Sequence, residues 1–170
     1  MALYTPVPSE CVHSVADHYK IPPAILFALI KTEGGLPGQG LRNRDGTVDW
    51  GPMQINSRWF VKRGSPVRQA FPDVSPQEIE TSPCVNVEVG GWILARLHRH
   101  VSLWTAVAHY HSFNPALYRP YVRRVKWWYR QFVGALHPHR WVVRRRKHAS
   151  PSVQQTQETD DRVIATAGEY

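Results

Sequence analysis

The sequence lacks any apolar run of the roughly 18 residues that a membrane-spanning helix requires, so we expect no transmembrane segment. Its opening stretch, MALYTPVPSECVHS, has neither a basic patch nor an apolar core and gives no indication of a secretory signal. Of the 170 residues, 42% are hydrophobic and seven are tryptophan. This is enough apolar material for one compact domain, and it is unlike the composition of a disordered chain.

Cysteine is scarce, with only Cys11 and Cys84 in the chain. Two thiols cannot supply the four ligands of a structural zinc site, and the nine histidines follow no metal-ligand spacing. We therefore predict no metal and no cofactor. The spacing of the two cysteines alone favours two buried free thiols, and the alternative, a disulfide, requires an oxidising compartment.

Acidic residues are also scarce, with 13 Asp and Glu against 21 Lys and Arg. The imbalance is concentrated in residues 118–147, which hold ten Lys and Arg and no acid. One interpretation of this segment is a solvated amphipathic helix, and the other is contact with an anionic surface. Nucleic acid is not an expected partner, because no nucleic-acid-binding signature is present. We place the domain at residues 1–135 and predict a disordered tail, basic and then acidic, over 136–170.

Helical patterns dominate the predicted domain. Ser9 is the expected N-cap of a first helix, and a second, apolar on all sides and therefore buried, begins at two prolines and ends at Glu33. Later helices are predicted over about 84–100, from a cap at Ser102, and from near Pro120, while Ser75 opens a capping box.

The irregular stretch lies between Glu33 and Gly51. It contains several glycines and an Asp-Gly pair at Asp45, which predicts a turn with a small hairpin. The following stretch, 51–60 (GPMQINSRWF), is predicted to form a short helix.

Two carboxylates flank this irregular stretch. Glycoside cleavage needs a proton donor for a poor leaving group, and a Glu in apolar surroundings can serve at neutral pH because its pKa is raised. Glu33 follows an apolar helix and lies at the helix end that disfavours its charge. Asp49 follows the turn, and the amides of Gln54 and Asn56 are suited to binding sugar hydroxyls.

Four motifs carry a resemblance to a known family. They are IPPAILFALIKTE (21–33), NRDGTVDWGPMQINSRWF (43–60), CVNVEVGGWIL (84–94) and AVAHYHSF (106–113). In order and spacing they resemble the lysozyme-like superfamily over about residues 9–125. The resemblance is closest to the specialised lytic transglycosylases (SLT domain) that accompany conjugation and type III or type IV secretion machines, and the stretch is also similar to C-type lysozymes.

The resemblance implies a mainly α, small lysozyme-like α+β domain with a substrate groove between a helical bundle and a loop or short hairpin. It implies cleavage of the β-1,4 bond between N-acetylmuramic acid and N-acetylglucosamine in peptidoglycan. Glu33 matches the catalytic acid, which in lytic transglycosylases then acts as the base that forms a 1,6-anhydro product. Asp49 matches the second carboxylate of C-type lysozymes.

The resemblance also assigns residues around these carboxylates. Tyr110 matches a tyrosine that holds the catalytic Glu. A cysteine pair at Cys11 and Cys84 implies a disulfide. The implied substrate-binding residues are Met53, Gln54, Asn56, Tyr110, His111 and Ser112.

The implied partners are peptidoglycan glycan strands and components of a secretion or conjugation apparatus, in the periplasm or cell envelope. The leading hypothesis is a lytic transglycosylase for local wall opening. One alternative is a lysozyme-type hydrolase using Glu33 and Asp49. Another is a catalytically inactive wall-binding or assembly protein, which the presence of Glu33, Gln54 and Tyr110 argues against.

Overall fold

The computed structural model describes residues 5–61 and 64–136, and in this part of the chain short strands are inserted into a mostly helical fold. The prediction of a mainly α, lysozyme-like α+β domain is confirmed. No helix among the described residues is long and apolar enough to cross a membrane. In chain order the elements are α1 (Ser9–Tyr19), α2 (Pro23–Glu33), β1 (Gly40–Arg42), β2 (Val48–Trp50), β3 (Ile55–Asn56), α3 (Arg58–Val61), α4 (Pro66–Ala70), α5 (Pro76–Thr81), α6 (Pro83–His98), α7 (Leu103–His111) and α8 (Pro115–Leu136).

Helix α2 is the central helix of the core. Every side chain from Ala24 to Ile30 is buried, because the helix is apolar on all sides and packs against α1 and α8. Pro23 occupies its first turn, where a missing N–H leaves no hydrogen bond unmade. Gly34 ends it in the left-handed conformation (φ 70°), and its N–H donates to the Ile30 carbonyl. The helix therefore delivers Glu33 at its last residue.

The three strands form an antiparallel sheet in the order β1-β2-β3. The predicted hairpin is present: Gly46 has a φ of 81° in the turn between β1 and β2, and Leu41 pairs with Asp49. Asp49 also pairs with Asn56 on the third strand. The sheet thereby places Asp49 at the centre of its middle strand.

Buried Asn86 on α6 connects this sheet to the helices. It accepts a hydrogen bond from the Met53 N–H (2.8 Å), and its amide donates to the carbonyls of Trp50 (2.8 Å) and Ile79 (2.9 Å). Truncating this side chain would leave these buried backbone groups unpaired, at a cost of about 1–3 kcal/mol each. Asn86 thus fixes the segment after β2 on the helical part of the domain.

A disulfide joins Cys11 on α1 to Cys84 on α6. This is the pairing implied by the family resemblance, and the alternative of two free thiols is wrong. The bond connects positions 73 residues apart. In the chain-entropy treatment, a loop of this size stabilises the fold by roughly 4 kcal/mol.

Three details of the sequence predictions are wrong. The N-cap of α1 is Pro8, which has an extended backbone (ψ 135°), so that Ser9 is the first helical residue. Helix α8 was predicted to begin near Pro120, but it begins at Pro115 and continues through Pro120. The earlier start is explained by the Asn114 side chain, which accepts a hydrogen bond from the Ala116 N–H in the first turn.

The third error concerns residues 51–60. A continuous helix cannot form there because Gly51 (φ 63°) and Gln54 (φ 47°) adopt left-handed conformations. Ile55 and Asn56 pair with β2 instead, and only Arg58–Val61 is helical.

Other predictions agree with the structure or lie beyond it. Ser75 and Glu78 form the predicted capping box, and Ser102 caps α7. The predicted tail, 136–170, and the second half of the basic segment lie outside the described residues apart from the end of α8. The domain boundary at residue 135 stays a prediction.

Candidate active site

A groove of about 590 Å³ lies where the end of α2, the sheet and the end of α7 meet. Both carboxylates singled out in the sequence, Glu33 and Asp49, line it. The other lining residues are Gln54, Ile55, Asn56, Arg58, Trp59, Ser65, Pro66, Ile93, His109, Tyr110, His111, Ser112 and Phe113.

Glu33 is half-buried, with one side open to the groove and protein around the rest of the carboxyl group. Burial, and to a smaller extent the nearby negative charge of Asp49, raise the pKa of Glu33 to about 7. The Tyr121 hydroxyl donates a 2.5 Å hydrogen bond to Glu33 Oε1 and, with the Arg124 charge, partly opposes this rise. A carboxyl with this pKa is available in both protonation states near neutral pH.

Asp49 is held by amides on both of its carboxylate oxygens. Asn56 Nδ2 donates to Oδ1 (2.7 Å), and Asn43 Nδ2 donates to Oδ2 (2.9 Å). Both amides also donate to the Thr47 hydroxyl, at 3.0 and 3.1 Å. This network fixes the direction in which Asp49 faces the groove.

Tyr121 was missed by the sequence analysis, which gave the role of holding Glu33 to Tyr110. In the structure the Tyr110 hydroxyl donates to the Met53 carbonyl (3.0 Å), whereas Tyr121 on α8 reaches Glu33 across 88 residues of chain. The hydrogen bond to Glu33 therefore comes from Tyr121, while Tyr110 lines the same groove. Tyr121 is almost fully buried and had the appearance of an ordinary core residue in the α8 pattern.

The residues after Asp49 differ in what they can offer a ligand. Gln54 uses its amide nitrogen to donate to the Gly51 carbonyl (2.9 Å), which leaves its oxygen as an acceptor in the groove. Both amide hydrogens of Asn56 are used on Asp49 and Thr47. The Met53 side chain is fully buried against Gly90 and does not line the groove, so it cannot contact a substrate as the sequence analysis expected.

His111 and Ser112 line the opposite wall. The His111 ring stacks on Tyr121 with centroids 4.3 Å apart and planes nearly parallel (5°), so it supports the residue that holds Glu33. Burial and the Arg124 charge lower the pKa of His111, while Asp49 acts in the opposite direction. A neutral imidazole at neutral pH can either donate or accept a hydrogen bond from a sugar.

No cluster of three or more His, Cys, Asp or Glu side chains that could hold a metal occurs within residues 5–61 and 64–136. The groups that face the groove are instead a protonatable carboxyl, an oriented carboxylate, amides and an imidazole. This set can move a proton and bind a neutral polar ligand such as a glycan.

Comparison with known proteins gives two findings. The model of the transglycosylase SLT domain matches residues 10–119. Invasion protein IagB of Salmonella typhi is 30% identical over 106 residues, covering 61% of this chain and 62% of that protein. IagB of Salmonella typhimurium strain SL1344 gives the same identity and coverage. The chain thus spans about 62% of the length of these curated relatives.

Proposed function

Because the chain belongs to the transglycosylase SLT domain family, we propose that it is a peptidoglycan lytic transglycosylase that uses Glu33 as its general acid and base. The bond cleaved is the β-1,4 linkage between N-acetylmuramic acid and N-acetylglucosamine. The observation that carries the proposal is the Glu33 carboxyl, which faces the groove with its pKa raised by burial to about 7. A carboxyl with this pKa holds the proton that the leaving group requires in a substantial fraction of molecules at neutral pH.

The reaction proceeds in two steps. Protonated Glu33 gives its proton to the glycosidic oxygen as the bond from C1 of the muramyl sugar to that oxygen breaks. The Glu33 carboxylate then takes the proton of the 6-hydroxyl of the same sugar, whose oxygen attacks C1 and closes a 1,6-anhydro ring. The proton count balances, and no water is consumed.

Tyr121 and His111 act through Glu33 in this scheme. The Tyr121 hydroxyl points its hydrogen at Glu33 Oε1, so it fixes the carboxyl and stabilises the carboxylate formed after proton donation. The stacked His111 ring restrains Tyr121 in turn. Both are positioning residues for the acid.

Asp49 stabilises the positive charge that develops on the sugar ring as the bond breaks. Its oxygens accept hydrogen bonds from Asn43 and Asn56, which orient the carboxylate toward the groove. Asn56 therefore serves through Asp49, and the free oxygen of Gln54 is the group left to accept a hydroxyl or N-acetyl hydrogen. His111 and Ser112 complete the polar contacts on the facing wall.

The second candidate function is a lysozyme-type hydrolase. It is favoured by one observation, that two carboxylates line the same groove. In that case Asp49 would bond to C1 and water would release the sugar. A catalytically inactive wall-binding protein is disfavoured, because it would have no use for a half-buried carboxyl whose raised pKa makes its charged form cost stability.

Envelope location and local wall opening for a secretion or conjugation machine are part of the proposal. They are supported by similarity to proteins named for invasion and by the cell-wall substrate of the family. The described part of the basic segment adds exposed cations on α8 that could meet an anionic surface: Arg119, Arg123, Arg124, Lys126 and Arg130.

The test is release of soluble fragments from purified sacculi by wild type and by Glu33→Gln. We expect the variant to lose activity by orders of magnitude while remaining folded, because the proton donor is gone and the shape is kept. Glu10→Gln, on the exposed surface of α1, is the matched control and should keep activity. Equal release by wild type and Glu33→Gln would refute Glu33 as the acid.

A further inference from the structure

A second groove of about 470 Å³ lies between α7 and α8. Its floor is formed by small and apolar side chains of the two helices. Its charged and aromatic lining residues are Trp104, His109, Tyr118, Arg119, Arg123 and Lys126.

The charge in this groove has one sign. Arg119, Arg123 and Lys126 follow one another at helical spacings of four and three, so they project from one face of α8. No acidic side chain lines the groove. Within the described residues, the three cations have no carboxylate partner, since Arg58 and Asp45 form the ion pair found there. Three like charges on one face are mutually unfavourable, and an anion bound between them would remove that repulsion.

Aromatic side chains form the walls of this groove, next to the cations. Lys126 Nζ lies 5.1 Å from the centre of the Trp104 ring, and Trp104 packs edge-on against Tyr129. Tyr118 forms the other end, edge-on to His109. A flat charged surface such as a lipid headgroup layer does not require a concave site, whereas a peptide with carboxylates can occupy one.

The second groove adjoins the active-site groove. His109 belongs to the lining of both, and its ring stacks on exposed Phe113 (4.4 Å) at the rim of the first. A substituent of a strand bound in the first groove therefore needs to extend only past this imidazole to reach Arg119 and Arg123. In peptidoglycan that substituent is the stem peptide, which carries free carboxylates.

We propose that the groove between α7 and α8 binds carboxylates of the peptide stem on the strand whose glycan occupies the active-site groove. The inference rests on the proposed function for its substrate. Arg119 and Arg123 supply guanidinium forks suited to carboxylates. Trp104 and Tyr118 contact the apolar parts of the peptide. The enzyme would thereby prefer peptide-bearing strands over bare glycan.

The test measures binding rather than turnover, in the Glu33→Gln background, so that it does not depend on cleavage. Two ligands are compared: soluble glycan strands with stem peptides, and the same strands freed of peptide by an amidase. Arg119→Gln/Arg123→Gln is the test variant. Arg130→Gln, an exposed α8 cation outside the groove, is the matched control.

We expect the unmodified groove to bind peptide-bearing strands about tenfold more tightly than bare strands, from two partly exposed charge-assisted contacts. The double variant should lose most of that ratio, and the control should keep it. A ratio unchanged in the double variant would overturn the proposal. The proposal would also be overturned if the double variant lost binding to anionic phospholipid vesicles but kept the affinity ratio between peptide-bearing and bare strands. That result would identify a membrane contact instead. If the strands bind as expected but the wild-type protein does not cleave sacculi, the proposed reaction is refuted and the proposed peptide site is retained.

Discussion

The raised pKa of Glu33 predicts how the stability of the protein depends on pH. The folded state moves this pKa from 4.5 to about 7, mainly by burial. Each pKa unit corresponds to about 1.4 kcal/mol, so the full effect is roughly 3 kcal/mol, and partial exposure of the carboxyl to the groove reduces the expectation to roughly 1–3 kcal/mol. Because the folded state binds the proton more tightly than the unfolded state, stability is lost as pH rises from about 4.5 through about 7.

Glu33→Gln removes the charge and should remove this loss. We expect wild type and variant to have similar free energies of unfolding near pH 4, and the variant to be the more stable by roughly 1–3 kcal/mol at pH 8. The measurement is urea unfolding at a series of pH values, with the disulfide kept oxidised.

A control with the opposite sign is available in Glu78→Gln. The capping hydrogen bonds from Ser75 lower the pKa of Glu78, so its stabilisation is present above its unfolded pKa and lost as pH falls. A difference between wild type and Glu33→Gln that stays constant from pH 4 to pH 8 would refute the burial argument for the acid.

Three further predictions follow from the contacts. Tyr121→Phe should slow cleavage about tenfold and move the basic limb of the pH–rate profile to higher pH, because the lost hydrogen bond normally lowers the pKa of Glu33. Tyr19→Phe loses a comparable hydrogen bond away from the groove and should have neither effect. Asp49→Asn should lower the rate and leave anhydro products dominant, while Asp73→Asn on the exposed surface leaves the rate alone, and equal rates in both would reduce Asp49 to a turn residue. Reducing the disulfide should lower stability by roughly 4 kcal/mol, seen as a lower melting temperature, and an unchanged melting temperature would contradict its structural role.

The parts of the fold that were predictable depend on local signals. Pro23 and Gly34 mark the ends of α2, and its continuous apolar run indicates burial, so the position of Glu33 follows from the sequence. The turn at Gly46 and the capping box at Ser75 are also encoded within a few residues. Each of these features concerns backbone preferences that neighbouring residues decide.

The parts that were missed depend on contacts between distant segments. Tyr121 reaches Glu33 only because α8 packs on α2, and nothing in the pattern around Tyr121 distinguishes it from a core tyrosine. The pairing of Ile55 and Asn56 with β2 replaced a predicted helix, because sheet hydrogen bonds and positive φ values outweighed local propensity. Buried Met53 likewise could not be separated from its half-buried neighbour Gln54 by sequence alone.

The central claim is that Glu33 acts alone as acid and then base, with the muramyl 6-hydroxyl as the attacking group. The most direct test is mass analysis of the muropeptides released from purified peptidoglycan by wild-type protein. We expect fragments ending in 1,6-anhydro-N-acetylmuramic acid, about 18 Da lighter than the hydrolysis product because no water is added. Reducing ends in the wild-type digest, abolished by Asp49→Asn, would contradict it and establish the hydrolase instead.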